Sequence, residues 1–152
     1  MWASAITAYL HYLSIGVIFA ALAIEYFTLK EDLEAKEAWR ILWADSAYGI
    51  AAVTILVTGL LRVFYYGKGT AYYTAMTVFW LKVGLFLVVG MVSLYPTFSF
   101  LMWLKSLIGE KPAERVKLLH YRRLKGIIVF ELIGFSLIPL LASMMARGIS
   151  LG

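Results

Sequence analysis

The chain has 152 residues, of which 62% are hydrophobic and 15% charged, with a net charge of +5 and no cysteine. Soluble globular proteins carry roughly 45 to 50% apolar and about 25% charged residues, so this composition excludes an ordinary soluble domain, and its apolar content excludes a disordered chain. The lack of cysteine excludes disulfides, iron–sulfur clusters and cysteine-ligated zinc. The composition therefore predicts an integral membrane protein.

Four apolar segments are long enough to cross a bilayer, which takes about 20 helical residues. They predict helices over about residues 5–29, 39–66, 73–104 and 113–146. Pro96 lies within the third segment and favours a bend there, because proline lacks the backbone donor of a helical residue. Pro112 suits the first turn of the fourth helix. The sequence thus predicts an all-α integral membrane four-helix bundle, with residues 1–152 forming a single transmembrane domain.

Lys and Arg are concentrated in the first and third connections between these helices. The residues concerned are Lys30, Lys36 and Arg40 in the first, and Lys105, Lys111, Arg115, Lys117, Arg122, Arg123 and Lys125 in the third. The other side carries Lys68 and Arg147, which we interpret as ordinary surface charges. Because cytoplasmic loops are enriched in Lys and Arg, the first and third connections are predicted to be cytoplasmic, with an N-out/C-out topology in the cytoplasmic (inner) membrane. The basic stretch before the fourth helix is expected to contact lipid headgroups and no nucleic acid.

Ionisable side chains inside a membrane span are costly and are therefore candidates for function. Glu25, Asp45 and Glu131 fall in the cytoplasmic halves of their helices. Two interpretations remain open for them. The carboxylates can form ion pairs with nearby cations such as Arg40 and Arg123, or they can relay protons as buried polar groups.

His11, Arg62 and Lys82 fall instead in the outer halves of the spans, where the sequence has no Asp or Glu. Arg62 lies one turn from the interface and can extend to water, whereas Lys82 is deeper. A single histidine in a bundle is more often a hydrogen-bonded core residue than a ligand. Imidazole is nevertheless an iron ligand of haem b, whose two propionates need cationic partners. The three residues therefore predict a haem b site with His11 as the metal ligand and Arg62 and Lys82 at the propionates.

Several short segments carry a family resemblance that spans nearly the whole chain. They are Tyr9 to Tyr12, Asp45 to Gly49, Gly59 to Gly69, Phe79 to Lys82, Ser93 to Pro96 and Met145 to Gly148. In these segments the chain resembles a family of bacterial four-helix membrane proteins of unknown function, domain of unknown function 2214.

A more distant similarity, through the histidine of the first helix and the lysine of the third, is to the bacterial membrane protoporphyrinogen oxidases. These proteins are four-helix bundles that bind haem b. The similarity implies that His11 is an axial ligand and that Lys82 is an essential polar residue. The oxidases have a further histidine-bearing stretch after the third-helix lysine, where this chain has Ser93 to Pro96. The similarity therefore implies haem binding more than enzymatic activity.

Three hypotheses of function follow from the sequence. The first is a haem-b-binding membrane protein, oxidoreductase-like when loaded, that acts in tetrapyrrole redox chemistry or electron transfer to quinone. The second is a small proton-coupled transporter that uses the inner carboxylates, and the third is a structural subunit of a membrane complex. The expected partners are the lipid bilayer, a tetrapyrrole or quinone, and further copies of the chain in a homo-oligomer.

Overall fold

The chain folds as four long helices joined by short elements, and the computed structural model describes residues 1–109 and 111–149. In chain order the elements are α1 (Trp2–Thr28), β1 (Asp32–Glu34), α2 (Ala35–Leu61), a π-helical segment (Arg62–Tyr66), α3 (Thr70–Thr74), α4 (Thr77–Ile108), β2 (Arg115–Lys117) and α5 (Tyr121–Ala146). Four helices are long and apolar enough to cross a membrane: α1, α2 with the π segment, α4 and α5. The predicted all-α four-helix membrane fold is confirmed. Residues 110 and 150–152 of the predicted domain lie outside the described residues.

The bundle consists of two helical hairpins, because α1 packs mainly on α2 and α4 mainly on α5. Its core contains fully buried side chains such as Ile18, Ile41, Phe100 and Ile128. Large apolar side chains also cover the outside, with Phe27 83% exposed and Trp43 72% exposed. An exposed apolar surface of this kind is suited to lipid tails, as expected for a membrane-spanning bundle.

A two-stranded antiparallel sheet joins the connections within the two hairpins. Asp32 pairs with Lys117, Leu33 with Val116 and Glu34 with Arg115. The prediction that the fourth helix begins near residue 113 is wrong, since Arg115–Lys117 form a strand and α5 begins at Tyr121. The pairing is favoured because Leu33 and Val116 are both buried beneath it. The sheet also confirms that the two basic connections lie at one end of the bundle.

We call that end the sheet end and the opposite end, which carries α3, the cavity end. Both α1 and α5 run between them, so residues 2 and 146 lie at the cavity end. The N-out/C-out orientation relative to a membrane stays a prediction.

Two further helix boundaries differ from the predicted ones. Helix α2 begins at Ala35 rather than near residue 39, because Glu34 and Glu37 form a reciprocal cap. The Glu34 amide donates to Glu37 Oε2 at 2.9 Å, and the Glu34 side chain accepts from the Glu37 amide. Such a capping box satisfies backbone donors that the first helical turn leaves free. The predicted third helix is divided into α3 and α4, and α4 is continuous through Pro96.

An ion pair across the sheet makes its pairing sensitive to pH. Arg115 Nε donates to Asp32 Oδ2 at 2.9 Å, and this hydrogen bond holds the pKa of Asp32 below its usual value. Because the pKa of Asp32 is lowered, its ion pair stabilises the sheet at pH values above the ordinary pKa of a carboxyl group. This stabilisation is lost as the pH falls through the lowered pKa of Asp32. We expect Asp32→Asn, at neutral pH, to speed hydrogen exchange of the Ala35 and Leu118 amides, which donate across the sheet. The Glu114→Gln variant is the control, and unchanged exchange in Asp32→Asn would contradict the expectation.

Candidate functional site

A cavity of about 690 Å³ lies among the helices at the cavity end. Its volume falls in the range of roughly 300 to 1,000 Å³ that small-molecule sites occupy. Residues from all four long helices, the π segment and α3 line it. The structure places His11, Arg62 and Lys82 together on its wall, although they come from α1, the π segment and α4.

The His11 side chain is held by a hydrogen bond from α1 to α2. Its Nδ1 lies 2.9 Å from Thr58 Oγ1, and Thr58 is only 5% exposed. The Thr58 hydroxyl donates to the Thr54 carbonyl at 2.5 Å, so its oxygen is left to accept the proton of His11 Nδ1. This pattern assigns the Nδ1-protonated tautomer, in which the Nε2 lone pair is free for a ligand. Metal-binding histidines are oriented in the same way by a partner at the other nitrogen.

Three cations line the cavity, and aromatic side chains hold two of them. Arg62 donates to the Tyr12 hydroxyl at 3.3 Å, with the guanidinium 5.2 Å from the centre of the Tyr12 ring. Lys68 donates to the Tyr72 hydroxyl at 3.3 Å. Lys82 is half-buried, with Nζ 5.7 Å from the centre of the Phe79 ring.

Among the described residues, none that lines the cavity is Asp or Glu. The cations at the cavity therefore have no anionic side chain beside them in this part of the chain. This favours an anionic ligand, because such a ligand would neutralise their charge in largely apolar surroundings.

Most of the remaining cavity wall is apolar. Ile15, Ile55 and Phe86 are among the lining residues. Leu60 and Leu87 also line the cavity while 49% and 51% of each residue is exposed on the outside of the bundle. The cavity therefore reaches the surface that faces lipid. A ligand with a large apolar body and a few anionic groups matches this wall best.

The π-helical segment Arg62–Tyr66 continues α2 at the cavity, and its first residue is one of the three cations. π-helical turns are rare and are frequent at functional sites. The segment turns Arg62 and Val63 toward the cavity, whereas Phe64 and Tyr65 are exposed. It thus sets the direction of the cation nearest to Tyr12.

The predicted inner acids form a second polar group nearer the sheet end. Glu25, Asp45 and Glu131 come from α1, α2 and α5 and are 2%, 8% and 2% exposed. We call these three side chains the carboxyl cluster. Asp45 Oδ1 accepts a hydrogen bond of 2.7 Å from the Thr97 hydroxyl of α4. The Oε1 atoms of Glu25 and Glu131 have no hydrogen-bond partner among the described residues.

The interpretation that these acids form ion pairs with basic residues at the interface is wrong. In residues 1–109 and 111–149 the ion pairs are Lys30–Glu37, Lys36–Glu34 and Arg115–Asp32, all outside the carboxyl cluster. Two cations of α5 near these acids lie against aromatic rings instead. Arg123 lies 5.0 Å from the centre of the Tyr95 ring, and Lys125 lies 4.9 Å from the centre of the Tyr26 ring.

A family model described as predicted membrane protein (DUF2214) matches residues 3–150 of the chain. The chain belongs to the DUF2214 family. Searches of curated proteins and of solved structures found no significant match. The resemblance to this family is confirmed, while none of the three comparisons gives support for the more distant similarity to protoporphyrinogen oxidases.

Sequence reasoning missed several side chains that complete the two polar groups of this DUF2214 protein. Lys68, interpreted as an ordinary surface charge, lines the cavity beside Tyr72. Thr58 holds His11, and Tyr12 holds Arg62. The two residues of each pair are 47 and 50 residues apart in the chain, so no local sequence pattern predicts these contacts. The available signal is polarity at the right depth, since Thr58, like Thr54 one turn before it, carries a hydroxyl in a mostly apolar part of α2.

Proposed function

We propose that the cavity binds haem b within the membrane, with His11 as an iron ligand and with Arg62 and Lys82 at the propionates. The observation that carries this proposal is the meeting of these three residues in one cavity whose described wall has no Asp or Glu. An imidazole with a free Nε2 supplies the ligand that haem iron takes in many proteins. The cations supply the partners that two carboxylate groups require.

Both the polar side chains and the apolar wall of the cavity suit haem b. Thr58 orients the imidazole, and the apolar side chains around Phe86 surround the volume that a porphyrin ring needs. Lys68 adds a third cation at the same cavity. Opening of the cavity toward lipid suits a ligand that partitions into the bilayer, since such a ligand can arrive without crossing water. Bound haem supplies one-electron redox chemistry, which the ligand and its surroundings tune.

We further propose that the bound haem acts in redox chemistry on a tetrapyrrole or in electron transfer to a quinone. The segment from Ser93 to Pro96 supplies no second imidazole. The Ser93 hydroxyl donates to the Gly90 carbonyl at 2.7 Å. Haem binding is therefore better supported than catalysis of a protoporphyrinogen-oxidase type.

Haem titration of the purified chain in lipid vesicles tests the proposal directly. We expect a saturable Soret band with a spectrum distinct from that of haem dissolved in protein-free vesicles of the same lipid. Addition of excess quinone, an uncharged competitor, is expected to displace haem poorly because it offers no anionic group to the cations. A chain that stays colourless at saturating haem, or whose spectrum equals that of haem in lipid alone, would refute haem binding.

Replacing Arg62 or Lys82 is expected to weaken haem binding without removing the iron ligand. Hydrogen bonds to charged groups contribute about 1.5 to 3 kcal/mol, and about 1.4 kcal/mol is tenfold in affinity. We expect Arg62→Gln and Lys82→Met each to raise the haem Kd by about 10-fold to 100-fold. Lys105→Met, an exposed change at the sheet end, is the matched control. Haem with both propionates esterified should bind the wild-type chain and both variants with similar affinity, and a retained difference would argue against propionate contacts.

A further inference from the structure

The carboxyl cluster has more acid oxygens than the surrounding side chains can satisfy. Three helices contribute its members. Asp45 accepts a hydrogen bond from Thr97, whereas the Oε1 atoms of Glu25 and Glu131 have no partner among the described residues. Each glutamate is only 2% exposed. A carboxylate that is buried without a counter-ion is unfavourable by many kcal/mol, whereas the protonated acid is neutral and far cheaper to bury.

The helices packed around the cluster contribute acids and hydroxyl groups to it. Helix α1 contributes Glu25, α2 contributes Asp45 and Tyr48, and α5 contributes Glu131. Helix α4 contributes the uncharged hydroxyls of Ser93 and Thr97. In the described part of the chain no Lys, Arg or His forms an ion pair with these acids. The side chains around the cluster thus supply no cation that would compensate the charge of a carboxylate.

The Tyr48 hydroxyl is a further buried polar group beside the cluster. It is beside Glu131, the residue is only 5% exposed, and the oxygen has no hydrogen-bond partner among the described residues. Buried tyrosine hydroxyls normally find a partner. A protonated carboxyl can both donate to and accept from such a hydroxyl, whereas a carboxylate can only accept. A proton on Glu131 would therefore add a second donor to this pair of groups, beside the proton of the Tyr48 hydroxyl.

We propose that the carboxyl cluster is a proton-binding site, in which carboxylates take up protons from water at the sheet end and hold them as neutral carboxyl groups. The balance is simple, since each carboxylate gains one proton, water or hydronium loses it, and no bond to carbon changes. Glu25 lies three residues before the end of α1, about one helical turn from the sheet end. Asp45 and Glu131 each lie ten residues from the sheet end of their helices, and farther from the opposite end. The sheet end is therefore the shorter route for exchange.

An aromatic stack separates the cluster from the cavity. Tyr48 meets Phe135 edge to face with ring centres 6.0 Å apart, and Phe135 meets Phe86 in the same way at 6.3 Å. Phe86 lines the cavity. These contacts put the apolar rings of Phe135 and Phe86 between Tyr48 and the cavity, which favours proton exchange toward the sheet end. The proton-binding site does not depend on whether the cavity binds haem.

Infrared spectroscopy of the full chain in lipid vesicles tests this proposal. At neutral pH we expect a carbonyl stretching band from protonated carboxyl groups, although exposed carboxyls are ionised. The band should shift after transfer to D2O, because exchanged groups carry deuterium. Glu25→Gln and Glu131→Gln should each remove part of the band, whereas Glu114→Gln, an exposed change, should leave it intact.

The carbonyl band of the wild-type chain and its shift in D2O test the proton-binding site even if a variant fails to fold. No protonated band at neutral pH would overturn the proposal. So would a band that keeps its position in D2O, which would mean groups that are neutral but closed to water. A band that Na⁺ removes and K⁺ does not would overturn it in favour of a sodium site. A band lost in part in both glutamine variants and shifted by D2O is the expected result.

Discussion

The His11→Ala variant is expected to lose the Soret spectrum of histidine-ligated haem and to bind haem b far more weakly than the wild-type chain. Removal of the imidazole deletes the one iron ligand that we propose at the cavity wall, while the apolar wall and the cations remain. Partners of metal ligands are typically worth about 10-fold to 100-fold in metal affinity. The ligand itself should therefore cost at least about that much.

The matched control for this loss is His120→Ala. His120 is exposed at the start of α5 on the sheet end, and its replacement should leave the spectrum unchanged. Free imidazole added to His11→Ala should restore a ligated spectrum, which a variant that has merely unfolded would not show. A wild-type spectrum in His11→Ala would mean that another side chain ligates the iron.

The Gly134→Leu variant is expected to lower the free energy of unfolding substantially by separating α4 from α5. Gly134 is buried, and a Cβ added there would overlap the Val89 side chain of α4, which is itself fully buried. Membrane helices approach closely through small residues of this kind. Overpacking a filled interior typically costs about 1 to 3 kcal/mol, and a leucine extends well beyond the Cβ that already overlaps.

Unfolding of the purified variant by a denaturing detergent, followed by its helical circular dichroism, measures this loss. Gly126→Leu is the matched control, because Gly126 lies on the same helix, is exposed and has open space where a Cβ would be added. Equal stability of the two variants would show that the α4–α5 contact tolerates a large side chain. A loss confined to Gly134→Leu is the expected result.

The architecture was accessible from the sequence because a bilayer leaves the backbone few choices. Buried amide groups without water must bond within their own segment, so each long apolar run becomes a helix. Charge position also placed Arg62 and Lys82 at the depth of His11, since rise along a helix is regular. The depth of a residue in the membrane does not show how its helix is rotated about its own axis. That rotation decides that these side chains face one cavity, and it depends on packing between helices.

The incorrect predictions involve contacts between residues far apart in the chain. Pro112 suited a helix start, yet the next residues pair with Asp32 to Glu34, and no local pattern reveals a partner so distant. Ion pairing of the inner acids was reasonable from spacing, but Arg123 stacks on Tyr95 of a different helix instead. The π-helical turn at Arg62 has no evident local signal either, since its residues are ordinary helix and strand formers.

The small sheet has a mechanical consequence for the whole bundle. Strand β1 belongs to the hairpin of α1 and α2, and β2 belongs to the hairpin of α4 and α5. The sheet therefore fastens the two hairpins, the two halves of the bundle, to each other at one end. The chain that runs from α2 through α3 to α4 joins the same two halves at the cavity end, so they are fastened at both ends of the bundle. A molecule dissolved in the bilayer would then reach the cavity from the side, past the exposed Leu60 and Leu87, without separating the two halves.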